Sequence, residues 1–195
     1  MRKILIIISV FLLAILVFVS YFFLIVPDNY EEIECHTPNV GKGNNKVEGI
    51  VLHHTATLLT KSSLEGLTNK NSKRSCHVLI AYDGTRYILA QPNEITYHAG
   101  ASCLNGKKWC NNFTVGIEFQ GSTNVFPLTG RQIASAIEYM RPIIEKYNIP
   151  NENIVTHKTI RDNYKRLFPS SKEYDKIDIS DKDYERVINE LKKIN

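Results

Sequence analysis

The chain has 195 residues, of which 43% are hydrophobic and 23% charged, and its formal net charge is +4. This length gives room for one ordinary domain and an additional segment. Basic and acidic side chains are too evenly balanced to indicate binding to nucleic acid, which demands a concentrated basic face. We therefore expect no nucleic-acid partner.

The beginning of the chain predicts a membrane-spanning helix. Apolar residues run almost without interruption from Ile4 to Val26, which is long enough for a helix to cross a hydrocarbon layer of about 30 Å. Arg2 and Lys3 precede this run and acidic residues follow it, a bias that places the N-terminus in the cytoplasm. The alternative is a cleaved signal peptide, although no small-x-small cleavage site is evident.

These features divide the chain into four expected parts: a cytoplasmic stub over 1–3, a transmembrane signal anchor over 4–26, a tether over 27–45, and a domain over 46–195. The tether is expected because residues 27–45 are polar and rich in proline and glycine. The domain would lie in the cell envelope, outside the cytoplasm, and would be secreted if the signal were cleaved. We expect it to be a monomer.

Export would permit disulfide bonds in the domain. Cys103 and Cys110 are the favoured pair because they flank a loop that contains glycine. Four cysteines allow three pairings, and four free thiols are the alternative.

The first half of the domain is predicted to consist mainly of strands. An apolar run predicts a buried strand over 49–54, and the turn residues Asp83-Gly84-Thr85 predict a hairpin between strands over 77–82 and 86–90. The segment 114–119 alternates as a strand does, with Val115, Ile117 and Phe119 on one face. Glu118 then lies on the other face.

Helices follow in the second half of the domain. Thr129 and Gln132 form a capping-box pattern ahead of apolar residues at helical spacing, and Pro150 ends the pattern, so a helix is predicted over 129–148. A strand end is expected over 154–157, and Ser180 with Asp183 predicts the cap of a last helix. The alternation predicts an α/β fold, with a mixed central β-sheet flanked by helices and preceded by one N-terminal transmembrane helix.

Histidines occur where two predicted strands end. His53 and His54 end the first strand and His157 ends the late one. A catalytic zinc site commonly has three protein ligands and leaves a fourth position open. Two imidazoles and one carboxylate would supply that set, although a histidine at a strand end is more often a surface or capping residue.

Five ordered motifs give the chain a family resemblance. Together they span about residues 47–192, and this order resembles the type-2 N-acetylmuramoyl-L-alanine amidases, a superfamily that includes AmpD-type enzymes, phage lysozymes and peptidoglycan-recognition proteins. The motifs are Val51-Leu52-His53-His54-Thr55-Ala56-Thr57, Cys76-His77-Val78-Leu79-Ile80 with Asp83-Gly84, His98-Ala99-Gly100, Val115-Gly116-Ile117-Glu118 and Thr156-His157. The resemblance implies an amidase/PGRP-like fold and a zinc-dependent hydrolase. Such an enzyme cleaves the amide bond between N-acetylmuramic acid and L-alanine in peptidoglycan or muropeptides, including the 1,6-anhydro form.

The resemblance also implies the ligands of a Zn2+ ion. His53 occupies the place of the first ligand, with His54 as its neighbour, and His157 occupies the place of the second. The third ligand is displaced in this sequence, because the Lys-x-Asp pattern occurs only at Lys176-Ile177-Asp178. We assign Asp178 as the ligand and treat residues 162–174 as an insertion, with Asp162 and Asp175 as alternatives.

Further roles follow from the same resemblance. Glu118 is expected to be the general base and Lys176 to stabilise the oxyanion, while Cys76 stands where phage relatives carry a tyrosine. The substrate is expected to contact His77, His98 and Asn111. The alternative function is a peptidoglycan-binding protein of the same fold without catalysis.

Overall fold

The protein is described here by a computed structural model, which describes residues 12–13, 15, 29–171 and 178–193. Strands and helices alternate along these residues. In chain order they are β1 (Glu32–Glu34), β2 (Val40–Asn44), β3 (Gly49–His54), α1 (Thr60–Thr68), β4 (Val78–Ile80), β5 (Arg86–Ile88), β6 (Glu94–Thr96), β7 (Cys103–Leu104), β8 (Lys107–Lys108), β9 (Thr114–Phe119), α2 (Gly130–Tyr147), β10 (Ile154–Thr156), α3 (His157–Leu167) and α4 (Asp181–Lys192). Short 3-10 turns cover Cys110–Asn112 and Asn151–Asn153.

A six-stranded mixed sheet with the order β1-β5-β4-β9-β3-β10 forms the centre of the fold. Strands β4, β9, β3 and β10 run parallel to their neighbours in this series, and β4 pairs with β5 in the antiparallel hairpin that the sequence predicts. Two small sheets, β2 with β6 and β7 with β8, lie beside it. The predicted mixed sheet flanked by helices is confirmed.

The two faces of the sheet are covered differently. On one face α2 and α4 bury the main core, which includes Ile50, Leu52, Ile117, Phe119 and Met140. On the other face, a cluster that includes Val51, Val155 and Ile160 packs under α3, and a separate cluster around Leu79 packs against α1. The functional residues lie on this second face, which no single helix covers.

Local sequence explains the two best-predicted helices. Thr129 caps α2, because its hydroxyl accepts a hydrogen bond from the amide of Gln132 at 3.0 Å and the Gln132 side chain accepts one from the amide of Thr129 at 3.0 Å. The helix ends at Asn148, which has a positive φ of 50° just before Pro150. Ser180 caps α4 by accepting from the amide of Asp183. Both predicted helices are confirmed.

The predicted transmembrane helix is corrected. In the described ranges, which omit most of 4–26, no helix is long and apolar enough to cross a membrane. Apart from residues 12, 13 and 15, the run from Ile4 to Val26 lies outside those ranges. The anchor is therefore withdrawn from the predicted fold.

The segment predicted to be a tether also differs. Residues Glu32–Glu34 form an edge strand parallel to β5, and Val40–Asn44 pair with β6. Backbone pairing orders these residues although their side chains are mostly exposed, so the polar composition of 27–45 did not indicate strands. The folded unit therefore begins before residue 46.

All four cysteines are free thiols in the structure. Cys103 and Cys110, the favoured pair, are both buried, and burial raises the pKa of the Cys110 thiol to about 11. The structure therefore has the alternative arrangement of four free thiols.

Candidate active site

Strand register places His53 beside Glu118. Strands β3 and β9 are parallel, and His53 is opposite Glu118 in their pairing. The alternating residues Val115, Ile117 and Phe119 are in the core beneath α2, so Glu118 lies on the opposite face with His53. Both side chains line one groove at the carboxyl ends of their strands, which is where open α/β sheets commonly bind ligands.

His157 joins this pair from the neighbouring strand. Strand β10 is parallel to β3, and His157 is the first residue of α3, directly after the strand ends. Thr156 caps that helix by accepting from the amide of Thr159. The strand expected over 154–157 therefore ends one residue earlier, and this turn brings the imidazole of His157 to 4.8 Å from that of His53, measured between ring centroids.

Asp178 completes the cluster from the C-terminal part of the chain. Its Oδ2 atom lies 3.1 Å from Nδ1 of His53 and 2.7 Å from Nδ1 of His157. One ligand atom from each of the three residues lies within 4.8 Å of the others. The alternative Asp162 instead pairs with Arg161 at 2.6 Å, and Asp175 lies outside the described residues.

The cluster fits a Zn2+ ion in its donor chemistry. Two imidazole nitrogens and one carboxylate oxygen are ligands that zinc accepts, and three protein ligands leave a position open. Opposing contributions set the pKa of the Asp178 carboxyl. Its burial raises the pKa, but the hydrogen bonds and charges of His157 and His53 outweigh burial and hold it well below its usual range. The Asp178 carboxyl is therefore ionised at neutral pH.

A chain of hydrogen bonds orients His53. The hydroxyl of Thr114 donates to the carbonyl of Cys110 at 2.7 Å, which leaves its oxygen to accept from Nε2 of His98, 3.4 Å away. Nδ1 of His98 then accepts from Nε2 of His53, 3.0 Å away. If a metal ion were bound, this order of donors would leave the lone pair on Nδ1 of His53 available to it, as a metal ligand requires.

His98 is held firmly in this position. Its backbone amide donates to Oδ1 of Asn111 at 3.1 Å, and the amide of Ala99 donates to the same oxygen at 2.7 Å. Its ring lies against Gly116, where an added Cβ would come within 2.5 Å of the ring. Burial, with the neighbouring His53, His77 and His157 as lesser causes, lowers the pKa of His98 well below its usual value, so the ring stays neutral.

His77 is not available to a substrate. It is fully buried, its Nδ1 accepts from the amide of Gly116 at 2.9 Å, and its Nε2 donates to the carbonyl of Glu94 at 3.0 Å. Burial lowers the pKa of His77 to about 4. His77 was predicted to contact the substrate, but its side chain is fully buried and does not line the groove, so its contacts are structural.

The groove around the cluster has a volume of about 1350 Å³. His98 and Asn111, the expected substrate contacts, line it, and so do the basic residues Lys73, Arg74 and Arg161, which the sequence analysis did not assign. Arg161 follows His157 by one helical turn of α3, a spacing that would have indicated it had the helix been predicted. A second cavity of about 1020 Å³ lies between α2 and α4, away from the cluster.

Three further residues were singled out from the sequence, namely Cys76, Lys176 and His54. Cys76, which replaces the phage tyrosine, is fully buried, and burial raises the pKa of its thiol well above the usual value. Lys176 lies outside the described residues. His54, regarded as a neighbour of the ligand, lines the groove edge and contacts the segment that follows Asp178.

Sequence comparisons with known proteins identify one family. Residues 43–171 match the family described as N-acetylmuramoyl-L-alanine amidase. The chain is 32% identical over 143 residues to the N-acetylmuramoyl-L-alanine amidase AmiD of Escherichia coli, an alignment that covers 64% of this chain and 51% of AmiD. It is 38% identical over 86 residues to the 1,6-anhydro-N-acetylmuramyl-L-alanine amidase AmpD of Haemophilus influenzae, covering 43% of this chain and 45% of AmpD. The chain thus spans about half the length of these relatives.

Solved structures give the same picture of the fold. An AmpD crystal structure superimposes with a TM-score of 0.62 at 18% identity, over 83% of this chain and 95% of AmpD. The complex of Escherichia coli AmiD with anhydro-N-acetylmuramic acid-L-Ala-D-gamma-Glu-L-Lys superimposes with a TM-score of 0.54 at 27% identity, over 63% of this chain and 52% of AmiD.

Proposed function

Because the chain belongs to the N-acetylmuramoyl-L-alanine amidase family, we propose that it is a zinc-dependent hydrolase acting on peptidoglycan or muropeptides. It cleaves the amide bond between N-acetylmuramic acid, including its 1,6-anhydro form, and L-alanine. The observation that carries this proposal is the convergence of His53, His157 and Asp178 beside Glu118 in one groove. The names of the relatives support the same bond as the target.

His53, His157 and Asp178 would hold the zinc ion. Zinc bound there would supply a Lewis acid that polarises a carbonyl and makes water a better nucleophile at neutral pH. The protein would contribute an ionised carboxylate and two imidazoles, and the contact with His98 would favour the His53 tautomer that carries its proton on Nε2. A non-covalent hydrolysis needs no serine or cysteine nucleophile.

Glu118 would move protons in the reaction. It is the register neighbour of His53 and lines the same groove, so its carboxylate can accept a proton from the attacking water. It would then return the proton to the amine that leaves with L-alanine. Lys176, two residues before Asp178 in the sequence, remains the proposed cation for the oxyanion.

The charge of the groove suits a muropeptide. A stem with a γ-linked glutamate carries a free carboxylate next to the scissile region, and Lys73, Arg74 and Arg161 line the groove. Cations that line a groove attract and orient anionic ligands.

The backbone around His98 and Asn111 forms part of the same wall, and these two residues remain the proposed contacts to the substrate. We propose that the protein works as a monomer.

The test measures zinc content and release of the stem peptide from a muropeptide by the full-length chain. We expect about one zinc per chain and cleavage for the wild type, and loss of both for Asp178→Ala. Asp162→Ala is the matched control, because it removes the alternative carboxylate, and it should keep both properties.

Two results would contradict the proposal. A wild type that retains peptidoglycan but binds no zinc and cleaves nothing is a recognition protein of the same fold. If Asp162→Ala loses the zinc and Asp178→Ala keeps it, the ligand assignment is wrong even though the activity is present.

A further inference from the structure

The backbone next to Asp178 adopts an unusual conformation. Ile179 has a φ of 49° and its side chain is 3% exposed. A β-branched residue in the left-handed region is a genuine outlier, and such a conformation persists only where the surroundings impose it. Outliers of this kind cluster at functional sites, and this one directly follows a residue of the candidate zinc site.

Two side chains accept hydrogen bonds from the backbone at Ile179 and Ser180. The amide of Ile179 donates to Nδ1 of His54 at 3.1 Å, and the amide of Ser180 donates to Oγ1 of Thr123 at 2.7 Å. Nδ1 of His54 and Oγ1 of Thr123 lie 2.8 Å apart. The His54–Thr123 pair therefore contacts two successive amides of the segment after Asp178.

The position of His54 explains how this pair reaches the site. Successive residues of a strand point to opposite faces, so at the end of β3 His53 contacts the Asp178 carboxylate and His54 contacts the next backbone amide. The segment from Asp178 to Ser180 thus passes the end of β3 and is held on both sides. Thr123 lies beyond β9, whose last residue, Phe119, is opposite His54 in the sheet.

We infer that the His54–Thr123 pair positions the displaced ligand Asp178 by fixing the backbone of the two residues that follow it. The inference rests on the proposed zinc site. Both are positioning residues, because their contacts are with the backbone at Ile179 and Ser180. Without these contacts, Ile179 could relax from its unusual conformation and the Asp178 carboxylate would move away from His53 and His157.

The first measurement needs no metal. Amide hydrogen exchange of Ile179 and Ser180 is followed in the zinc-free, full-length protein. In the wild type we expect both amides to be protected. Thr123→Val, which preserves shape and removes the acceptor, should speed exchange mainly at Ser180, and His54→Phe should speed it at Ile179.

The second measurement is the zinc dissociation constant, obtained by competition with a chromogenic chelator. Loss of a residue that orients a metal ligand typically weakens metal binding about 10–100-fold, so we expect about tenfold or more for His54→Phe. His54→Asn should restore most of the affinity, because its amide oxygen can accept the same hydrogen bond. The control is Thr129→Val, which removes the cap of α2 and should leave zinc affinity unchanged although it lowers stability.

The outcomes separate this inference from the proposed function. Fast exchange of both amides in the wild type, or equal zinc affinity for wild type and His54→Phe, overturns the inference while the proposed function stands. Failure of His54→Asn to recover affinity also overturns it, since the effect would then come from packing and not from the hydrogen bond. A wild type that binds no zinc overturns the proposed function, and the inference with it.

Discussion

Replacement of His98 by phenylalanine should weaken zinc binding while leaving the fold intact. The substitution removes both ring nitrogens, and the one that contacts His53 is Nδ1, 3.0 Å from Nε2 of His53. Phenylalanine fills a similar space against Gly116 but accepts no hydrogen bond there. His53 then loses the partner that favours a proton on Nε2, and it populates the tautomer with a proton on Nδ1, which cannot bind the metal.

The expected loss of zinc affinity follows from the hydrogen bond between His53 and His98. Loss of a hydrogen bond that orients a metal-binding histidine costs about 10–100-fold in affinity. Because tenfold corresponds to about 1.4 kcal/mol, the expected loss is about 1.4–2.7 kcal/mol of zinc-binding free energy. Thr114→Val removes the next member of the chain, whose contact with His98 is longer at 3.4 Å, and it should have a smaller effect in the same direction.

The assay is chelator competition for zinc, combined with nitrogen NMR of the histidine tautomers in the zinc-loaded protein. His98→Asn is the matched variant, because an amide oxygen near the position of Nδ1 can accept from His53, and it should bind zinc almost as well as the wild type. The reasoning is refuted if wild-type His53 carries its proton on Nδ1. It is equally refuted if His98→Phe changes only the Michaelis constant for the muropeptide, since His98 would then be a substrate contact alone.

Other substitutions test the remaining parts of the structure. Glu118→Gln should keep zinc and lower the cleavage rate by about 10²–10⁴-fold, the usual contribution of a general base, and an unchanged rate would assign the proton transfer to another group. Gly116→Ala should weaken zinc binding, because its Cβ would lie 2.5 Å from the His98 ring; calorimetry showing wild-type affinity would contradict this. Thr129→Ala should lower the free energy of unfolding by about 0.5–2 kcal/mol in urea titrations, since it removes the cap of α2. Met140→Ala, at a fully buried position, should cost about 2–5 kcal/mol in the same titrations, and a much smaller loss would mean that the core collapses around the vacancy.

The parts of the fold that the sequence predicted depend on local patterns. The alternation in 114–119 was enough to put Glu118 on the face opposite Phe119, and the capping box at Thr129 was enough to start α2. Both patterns act over a few residues and need no information about distant contacts. The resemblance to the amidase family added His53, His157 and Asp178, which the structure brings together.

The parts that were missed depend on contacts between distant residues. Strand β1 exists because its backbone pairs with β5, and nothing in Glu32-Ile33-Glu34 alone indicates that partner. His77 and His98 are both histidines in family motifs, but only the packing shows that one is fully buried beneath the groove and the other hydrogen-bonds to His53. The left-handed backbone at Ile179 contradicts local preference, so no propensity could have predicted it.

The contact between His53 and Asp178 joins positions 125 residues apart in the chain. The contact closes a loop of 125 residues. The entropy lost when a loop closes rises with the logarithm of its length. We expect such a contact to form late, after the strands between its ends have paired. A nascent chain that has emerged only as far as residue 170 would contain both histidines and Glu118 but no Asp178. The candidate zinc site would therefore stay incomplete until synthesis had passed residue 178, and a protease that removed Asp178 and the residues after it would take away the third residue of that site without cutting the central sheet.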